Sequence, residues 1–440
     1  MQKTAVIVGG SISGLLAATV LSPYFSRVII FDRDTLADAK HPRKGTAQAP
    51  HAHILLQRGL LGLEHLLPGF IDILREAGAM STSATNDWQS LFPKGFMARF
   101  ESDIQLLCQS RYLLEQTLRS HVLDKLSNLE VIDSASVNDV QLASNENPTI
   151  HYTLNQHTHS QQANLVVDCT GRNSKAPLYL EKQDFGQVPR KSISPYLGYA
   201  SRLYKNISLP DQYRTTLIMA NDPAETRGGV VLPIENNQHI VTLFGFSKDY
   251  PPSDALAFKA FAKNLRADTI YNAIKDADPI SEIKQFIKNE SHFHQYHKMK
   301  QWPKGFLTLG DSITSFNPIY GQGITSATIA AEKLKSLLNE ASIFDNQQCK
   351  KIQTKLCQSY QLPWIISQNE DLRWPKTTGM KAGVILKMMH RFSDAVSQAG
   401  TKDRDVTYAY YSILHMTKLP TALLHPKILF KIFKHGLRKT

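Results

Sequence analysis

The feature that most constrains the fold is a glycine-rich turn near the start of the chain. An apolar run from Thr4 to Val8 leads into Gly9-Gly10-Ser11-Ile12-Ser13-Gly14 and then into an apolar segment that ends at Leu21. A second apolar run, 27–31, stops at Asp32. This order predicts a strand, a tight turn, a helix and a second strand ending in an acid, which is the βαβ unit that binds dinucleotides.

The pattern assigns a role to each residue of the turn. Gly9 allows the tight turn, Gly14 allows the helix and the strand to approach each other, and the free N–H groups of the helix attract a pyrophosphate. Asp32 is expected to accept a hydrogen bond from a ribose hydroxyl. Ser11 replaces the second glycine of the usual pattern, and we interpret it as a tolerated variant because serine is small. The alternative is an ordinary turn without a ligand.

Two later segments also end an apolar strand on a glycine turn. The run 163–168 ends on Asp168-Cys169-Thr170-Gly171, and the run 306–309 ends on Gly310-Asp311. The second turn continues into a loop with Gly321-Gln322-Gly323 and a helix predicted over 325–338. A helix N-terminus at this place can stabilise negative charge on a bound group.

Between these segments the sequence alternates in the manner of antiparallel strands. Strands are predicted over 196–204, 215–219, 228–233 and 239–246, with one helix over 253–265, while 129–137 and 150–154 are predicted as strands of the first part. The predicted fold class is therefore α/β, with a dinucleotide-binding domain formed by 1–180 and 296–345. Residues 181–295 form a second, inserted domain, 81–100 contribute to its pocket, and 346–440 form a helical C-terminal region.

Composition excludes several classes of protein. The chain has 440 residues and no apolar run long enough to cross a membrane, and it starts directly in the first strand, so we expect neither a membrane span nor a signal peptide. The four cysteines show no metal-binding or redox spacing and favour the reducing cytoplasm. His51 and His53 lack a third ligand nearby, and the run 292–297 is interpreted as a solvated connector, so no metal site is predicted.

The net charge of +12 is dispersed except at the C-terminus, and no nucleic-acid-binding motif is present, so no nucleic-acid partner is expected. Lys427, Lys431, Lys434 and Arg438 share one face of a predicted terminal helix. Two interpretations stay open. The helix makes a peripheral contact with an anionic bilayer at the inner face of the membrane, or it docks on its own protein with its lysine stems buried.

The three glycine motifs together resemble those of the flavin-dependent monooxygenases with the two-domain fold of p-hydroxybenzoate hydroxylase, and the likeness covers nearly the whole chain. Pro42-Arg-Lys-Gly45, Tyr199-Ala-Ser-Arg202 and Glu370-Asp-Leu-Arg-Trp-Pro375 look most like the bacterial flavin-dependent epoxidases and hydroxylases of natural-product biosynthesis. The resemblance implies a Rossmann-type FAD-binding domain with an inserted antiparallel-sheet substrate domain and a helical C-terminus.

The resemblance also implies roles for individual residues. Gly9, Ser11 and Gly14 would hold the pyrophosphate of FAD, and Asp32 the adenosine ribose. Further cofactor contacts would come from Arg111 (phosphate or ribityl region), Val137 (adenine), Asp311 (ribityl chain) and the amides of Gly321, Gln322 and Gly323 (pyrimidine end of the flavin). Arg33, Arg43, Asp168 and Gly171 complete the predicted cofactor-binding set. Arg111 lies in the first turn of its predicted helix, where a cation is unfavourable unless it meets an external anion.

The implied activity is the insertion of one oxygen atom from O2, through a flavin C4a-hydroperoxide, into an apolar alkene or aromatic substrate by epoxidation or hydroxylation. No catalytic acid or base is assigned; Tyr199, Arg202 and Tyr320 are weak candidates for activating a phenolic substrate. Because Asp168 is followed by Cys169 rather than glycine, the electron source stays open: NADPH or NADH, used directly or through a partner flavin reductase.

Three alternatives have to be weighed. The turn around Asp168 also resembles that of FAD-dependent reductases that saturate isoprenoid double bonds, such as geranylgeranyl reductase. A non-catalytic flavoprotein is the second alternative. A flavin halogenase is the third, and it is disfavoured because its Trp-x-Trp segment is missing: the tryptophans, at positions 88, 302, 364 and 374, are never two residues apart.

Overall fold

The structure is a computed structural model that describes residues 3–36, 43–288, 290–340 and 343–436. The strands in these residues are, in chain order, β1 (Thr4–Val8), β2 (Arg27–Phe31), β3 (Met80–Ser83), β4 (Trp88–Phe92), β5 (Gly95–Phe96), β6 (Gln105–Cys108), β7 (Leu129–Ile132), β8 (Ser136–Gln141), β9 (Thr149–Leu154), β10 (His157–Gln162), β11 (Leu165–Asp168), β12 (Arg190–Ile193), β13 (Leu197–Lys205), β14 (Thr215–Ile218), β15 (Arg227–Ile234), β16 (Gln238–Gly245), β17 (Asp278–Pro279), β18 (Lys284–Lys288), β19 (Ser291–His294), β20 (Phe306–Thr308) and β21 (Thr314–Ser315).

The α-helices lie mainly in the first third and the last quarter of the chain. They are α1 (Ile12–Leu21), α2 (Gln57–Leu66), α3 (Phe70–Glu76), α4 (Arg111–Lys125), α5 (Ala176–Lys182), α6 (Ala255–Lys263), α7 (Thr269–Ile274), α8 (Gln322–Leu338), α9 (Asn346–Ser359), α10 (Gln361–Asp371), α11 (Val384–Gly400), α12 (Arg404–Leu414) and α13 (Pro426–Gly436).

A five-stranded parallel sheet carries the glycine turns. Its strand order is β20-β11-β1-β2-β7, and all neighbouring pairs are parallel. The central strands are buried on both faces, which is why their sequences are continuous apolar runs rather than alternating ones. Helix α1 packs against α4 and α8 beside this sheet.

A larger sheet of eight strands forms the second layer of the molecule. Its order is β17-β13-β16-β15-β14-β4-β5, with β18 also pairing with β13. Its pairs are antiparallel except for the parallel pair of β14 and β4. Strands β4 and β5 come from the stretch 81–100, so part of that stretch joins this sheet. The predicted fold class is confirmed, and the predicted domain boundaries stay predictions.

The two faces of the large sheet have different neighbours. In β13, Ala200 and Tyr204 belong to a core formed with α6 and α7. Tyr199, Ser201 and Leu203 alternate with them and lie on the opposite face, toward the loop that contains His51. The period-two alternation of a strand therefore separates supporting residues from residues that face the rest of the molecule.

Two sequence predictions about strands and connectors are wrong. The strand predicted over 129–137 is two strands, because β7 ends its pairing with β2 at Ile132 and Ser134 then adopts a left-handed conformation (φ 52°). The run predicted as a solvated connector at 292–297 contains β19, which pairs with β12 and β21. This pairing buries His292 and His294, which are 3% and 8% exposed.

The C-terminal region is helical from α9 to α13, as predicted. No helix in the described part of the chain is long and apolar enough to cross a bilayer. The four cysteines are free and buried. Within the described ranges, no group of three or more His, Cys, Asp or Glu side chains is placed to hold a metal ion.

Candidate functional site

The glycine turns meet at one edge of the parallel sheet. Strands β20, β11, β1 and β2 are adjacent and parallel, so their carboxyl ends lie side by side. Gly9 follows β1, Asp32 follows β2, Gly171 lies three residues after the end of β11, and Gly310 lies two residues after the end of β20. Segments separated by about three hundred residues are therefore neighbours at the place where α/β sheets bind ligands.

The close approach of these turns requires glycine. A Cβ atom on Gly9, whose φ is +104°, would lie 2.6 Å from the carbonyl oxygen of Cys169. A Cβ atom on Gly14 would lie 1.9 Å from the carbonyl oxygen of Gly9. Gly310 has a φ of +70°, and its Cβ would lie 2.1 Å from Oγ of Ser13. Each of these glycines is thus required by contact with a neighbouring turn or helix.

Asp168 connects the second and third turns. Its Oδ1 accepts hydrogen bonds from the backbone N–H of Thr170 (2.8 Å) and from the hydroxyl of Ser312 (3.1 Å). Its Oδ2 accepts one from the hydroxyl of Ser174 (2.6 Å). The backbone N–H of Gly171 donates to Oγ of Ser312 (3.0 Å). The buried carboxylate therefore holds the shape of this edge, and the direct cofactor contacts expected of Asp168 and Gly171 stay predictions.

Asp32 is fixed at the end of β2 by backbone donors. Its Oδ2 accepts from the N–H of Gly10 (2.7 Å) and its Oδ1 from the N–H of Asp34 (2.8 Å). Its carbonyl oxygen accepts from the N–H of Ala135 (2.9 Å), and Val137 follows on β8. The predicted ribose and adenine contacts thus lie close together. The side chain of Arg33, by contrast, is 59% exposed.

Charged side chains surround Ser11 in front of the first turn. The hydroxyl of Ser11 donates to Oε2 of Glu115 (2.8 Å) and accepts from Nη2 of Arg111 (2.9 Å). Glu115 also forms salt bridges with Arg111 (2.7 Å), Arg119 (2.5 Å) and Arg43. Arg43 additionally lies 3.5 Å from a carboxylate oxygen of Asp32, and all the charged groups of this cluster are buried. Ser11 is therefore a connecting residue between the turn and α4.

The arginine cluster suits an anion. Burial raises the pKa of Glu115, but Arg111, Arg43 and Arg119 outweigh it and bring that pKa down to about 2, so the carboxylate is ionised. Three guanidinium groups then face one glutamate beside the N-terminus of α1, whose first turn contains no acid. Nη1 of Arg111 is buried without a hydrogen-bond partner among the described residues, and a cavity of about 20 Å³ lies within the cluster.

Sequence reasoning missed Glu115 and Arg119. The signal was present, because Arg111, Glu115 and Arg119 are spaced four residues apart and so share one face of α4. Together with Ser11 and Arg111 they form one connected polar group at this edge.

A second helix N-terminus lies at the other end of the site. Helix α8 begins at Gln322 rather than at Thr325, because Gly321 adopts the left-handed conformation (φ 65°) that lets the loop turn into the helix. Its first turn contains no acid and no side chain caps it. A Cβ on Gly323 would meet nothing within 4 Å, and Oε1 of Gln322 is buried without a partner in the described structure. The predicted 321–323 amides therefore lie at a helix start beside open space.

The loop before α8 is anchored by the C-terminal region. The fully buried Asp371 accepts hydrogen bonds on Oδ1 from Nδ2 of Asn317 (2.6 Å) and from the hydroxyl of Tyr320 (3.1 Å). Burial, with Asp371 and Glu370 nearby, raises the pKa of Tyr320 well above its usual value, so this phenol stays a donor. The segment that begins at Glu370 thus determines the position of the predicted flavin loop.

Residues 51–54 lie between the large sheet and the edge of the parallel sheet where the glycine turns meet. A Cβ on Gly321 would lie 3.2 Å from the carbonyl oxygen of Ile54. His51 is buried, its Nδ1 is 2.8 Å from Oγ of Ser201, and its ring meets that of Tyr199 at 4.4 Å. Burial lowers the pKa of His51 to about 3. A neutral histidine therefore supports the face of the sheet that lies toward the site.

That face is largely apolar. Tyr199 belongs to a cluster that includes Met219 and Ile319, the latter from the loop before α8. Burial raises the pKa of Tyr199, so its phenol is neutral. Arg202 lies on the other face, where its Nε donates to the carbonyl oxygen of Ser281 (2.9 Å). The structure therefore removes Arg202 from the candidates for substrate activation.

Comparisons with known proteins agree with this architecture. No protein-family model matches the chain. Protein Rv3254 of Mycobacterium tuberculosis is 28% identical over 348 residues, which is 76% of this chain and 72% of Rv3254.

Several solved structures share the fold at low sequence identity. The p-nitrophenol 4-monooxygenase PnpA of Pseudomonas putida DLL-E4 superposes with a TM-score of 0.66 at 15% identity, covering 99% of this chain and 100% of PnpA. PqsL of Pseudomonas aeruginosa, a probable FAD-dependent monooxygenase, gives 0.63 at 14% identity over 84% and 95% of the two chains. The flavin-dependent brominase Bmp2 gives 0.59 at 12% identity over 98% and 92%. The chain therefore has the fold of FAD-dependent monooxygenases, which a halogenating enzyme also uses.

Proposed function

We propose that the protein is an FAD-dependent monooxygenase that transfers one oxygen atom from O2 to an apolar alkene or aromatic substrate. The observation that carries this proposal is the meeting of the turns at Gly9, Gly171 and Gly310 with the helix start at Gln322, since α8 packs against α1 and against the 310–312 turn. An enzyme that binds only a nicotinamide dinucleotide needs the first of these turns and has no use for the others.

The residues at this edge fit FAD. The turn 9–14, the N-terminus of α1 and Arg111 would hold the pyrophosphate, for which the buried Nη1 of Arg111 is an available donor. Asp32 would accept from the adenosine ribose and Asp311 from the ribityl chain. The amides of 321–323 would meet the pyrimidine end of the flavin, where Gly323 leaves open space. Gln109, 1% exposed with both amide atoms unpartnered in the described structure, is a further polar group available to such a ligand.

Bound FAD would supply the redox chemistry, because a flavin accepts two electrons and, once reduced, reacts with O2. The protein's own residues provide the surroundings. The N-terminus of α8 would stabilise negative charge at the pyrimidine end. The apolar face around Tyr199, Met219 and Ile319 would exclude water and orient an apolar substrate. Tyr199 and Tyr320 remain protonated, so each hydroxyl can donate one hydrogen bond and can also accept.

The finer assignments belong to this proposal as well. The electrons would come from NADPH or NADH, directly or through a separate flavin reductase. The substrate would be a polyene or aromatic intermediate of natural-product biosynthesis, as in the bacterial epoxidases that the sequence resembles.

The test is product analysis with labelled oxygen. The cofactor released from the purified protein is first identified, and FAD is expected. The reduced holoenzyme is then mixed with ¹⁸O2 and a panel of polyenes and aromatics, and the products should carry one labelled oxygen atom. Anaerobic turnover to a saturated product would instead establish the reductase, a brominated product formed only with bromide would establish the halogenase, and the absence of product from every compound would favour a non-catalytic flavoprotein.

A further inference from the structure

Helix α11 carries an apolar stripe that is covered along only part of its length. Toward its C-terminus, Ala395, Val396 and Ala399 lie in a buried core with Ile432 of α13. At about 100° per residue, these positions fall within the same arc of roughly 140° as four apolar residues near its N-terminus. The latter are exposed: Val384 (77%), Ile385 (77%), Met388 (64%) and Met389 (50%). The stripe therefore continues beyond the part that the described residues cover.

Helix α13 presents a second apolar surface. It is attached to α11 by Ile432, which is 1% exposed, and by Gly436, whose Cβ would lie 2.3 Å from the carbonyl oxygen of Ala395. Phe430 and Phe433 point away from this contact and are 67% and 59% exposed. Soluble proteins rarely leave several large apolar side chains of neighbouring elements in water without a partner.

The charge of this region is strongly positive. Residues 376–436 contain ten lysines and arginines and three aspartates. The aspartates pair with cations of the same chain: Asp394 lies 2.9 Å from Arg373, while Asp403 and Asp405 lie 3.0 and 2.5 Å from Lys431. Unpaired negative charge is thus not found on these helices in the described part of the chain. Exposed cations border the apolar positions: Lys387, Arg391, Lys427 and Lys434. Lys427 lies 3.6 Å from Asp405, but its side chain is 70% exposed, against 23% for Lys431.

We propose that these residues form a docking surface for a bilayer that contains anionic lipids. The α11–α13 surface is defined as Val384, Ile385, Met388, Met389, Phe430 and Phe433 together with the four bordering cations. Exposed aliphatic and aromatic side chains flanked by lysine and arginine are the combination that inserts into the headgroup region and meets lipid phosphates. A second copy of the chain is a poorer occupant, because two surfaces with the same excess of cations repel each other.

The structure changes which residues would make the contact. The sequence predicts one basic face formed by Lys427, Lys431, Lys434 and Arg438, either on a membrane or docked on the protein. In the structure Lys431 is turned toward Asp403 and Asp405 of its own protein. The contact would instead be made by the phenylalanines of α13 and by the open half of the α11 stripe. Arg438 lies outside the described residues. This proposal concerns a site other than the oxygen-transfer site and does not depend on it.

The experiment uses the full-length holoenzyme and sucrose-loaded vesicles of phosphatidylcholine, with and without phosphatidylglycerol. We expect sedimentation with the anionic vesicles, much weaker sedimentation with the neutral ones, and loss of binding as salt is raised. The double variants Ile385→Ser/Met388→Ser and Phe430→Ser/Phe433→Ser should each weaken binding about tenfold or more, because each removes two inserting side chains. Lys387→Glu/Arg391→Glu should weaken binding to anionic vesicles alone.

The matched control is Leu256→Ser, which removes a side chain that is 82% exposed on α6, far from these helices in the sequence. It should bind vesicles like the parent protein. Thermal unfolding verifies that the variants are folded, and the charge-reversal pair, which changes only exposed side chains, provides the test if a serine variant is unstable.

Equal loss of vesicle binding in the Leu256→Ser control would overturn the proposal. So would concentration-dependent dimers, seen by sedimentation velocity without lipid and abolished by the same variants, since the surface would then belong to a second copy. No turnover is measured, so failure of the proposed oxygen transfer would leave this result unaffected.

Discussion

Ser11 occupies a position where the dinucleotide-binding pattern usually has glycine, and the structure gives its hydroxyl a function. It joins the first turn to Arg111 and Glu115 on α4 through hydrogen bonds of 2.9 and 2.8 Å. The sequence alone suggested only that serine is small enough to be tolerated. The residue thus connects the turn to a buried cluster of opposite charges.

The variant Glu115→Gln tests this cluster. Removing the carboxylate leaves Arg43, Arg111 and Arg119 without their shared partner, so the apoprotein should lose about 3 kcal/mol of unfolding free energy. The same change should tighten FAD binding, because the pyrophosphate would then neutralise the arginines. Chemical denaturation and flavin-fluorescence titration measure the two effects.

Glu130→Gln, at an exposed ion pair with Arg27, is the control and should change stability by less than about 1 kcal/mol. Weaker FAD binding by Glu115→Gln would contradict the proposed role of the cluster.

Buried histidines predict how stability depends on pH. Burial lowers the pKa of His51 to about 3 and of His415 to about 4, below the ordinary value of 6.5. Their contribution is therefore fully present above pH 6.5 and is lost as the pH falls below that value, because the unfolded chain then binds more protons. Between pH 6.5 and pH 5 each histidine should cost about 2 kcal/mol.

Thermal unfolding at pH 7.5 and at pH 5 measures this dependence. His51→Gln should reduce it by the contribution of one histidine, whereas substitution of His157, which is exposed on β10, should leave it unchanged. A melting temperature of the parent protein that stays constant over this range would refute the assignment of both histidines as buried and neutral.

At the level of elements, the loop before α8 depends on a helix from the other end of the fold. Asp371, the last residue of α10, accepts from Asn317 and Tyr320 and so connects the C-terminal helices to the predicted flavin loop. Trp374, three residues later, stacks on Phe246 of the large sheet at 4.5 Å. One short segment therefore touches the loop and the sheet at once.

We predict that Asp371→Ala weakens FAD binding, because Asn317 and Tyr320 would lose a buried acceptor and the loop its fixed position. Each unpaired buried donor costs roughly 1–3 kcal/mol, so the dissociation constant should rise at least about tenfold. Tyr320→Phe removes one of the two hydrogen bonds and should have a smaller effect, and the double variant should be less than additive. Asp72→Ala, at an exposed ion pair, is the control. An unchanged dissociation constant in Asp371→Ala would show that the loop does not depend on α10.

Strands that are continuous apolar runs could be predicted from the sequence. Strands with polar residues could not, because only their pairing with neighbouring strands buries them. The runs that became β1, β2, β11 and β20 are apolar because both faces of the sheet bury them. The strand β19 was missed because its histidines and serine are polar, and only its two neighbouring strands make their burial possible. The start of α8 was placed too late because Gly321-Gln322-Gly323 has the composition of a loop, although left-handed Gly321 allows Gln322 to begin the helix.

At the scale of the whole molecule, the candidate site joins parts of the chain that are far apart in sequence. The first turn, the turn after Asp168 and the 310–323 segment lie on both sides of the large-sheet insertion. Sequence motifs could predict these segments, and the spacing of Arg111, Glu115 and Arg119 indicates a shared face of α4. The contacts of that face with Ser11 and Arg43, and the anchoring by Asp371, could not be predicted, because they depend on which elements pack together. A ligand at this edge would hold all three segments at once.

This arrangement predicts ligand-specific stabilisation. FAD should raise the unfolding temperature of the apoprotein. At a free concentration a thousand times the dissociation constant, binding adds about 4 kcal/mol to the free energy of unfolding. NAD should have a much smaller effect, because it lacks the flavin that would reach the 321–323 amides. Differential scanning fluorimetry with FAD, FMN and NAD gives the comparison. Equal stabilisation by NAD and FAD would show that only the first turn is used.

The alternation along β13 has a consequence for how this protein could diversify. Tyr199, Ser201 and Leu203 face the site, whereas Ala200 and Tyr204 hold the sheet on α6 and α7. Substitutions at the odd positions therefore change the face that lies toward residues 51–54, whereas substitutions at the even positions disturb the packing on α6 and α7. Tyr199 and Ser201 are themselves buried against His51, so Leu203 is the odd position where substitution should cost the least stability. A library at Leu203 should therefore yield more soluble variants than a library at Ala200 or Tyr204, and expression of the soluble protein measures the difference.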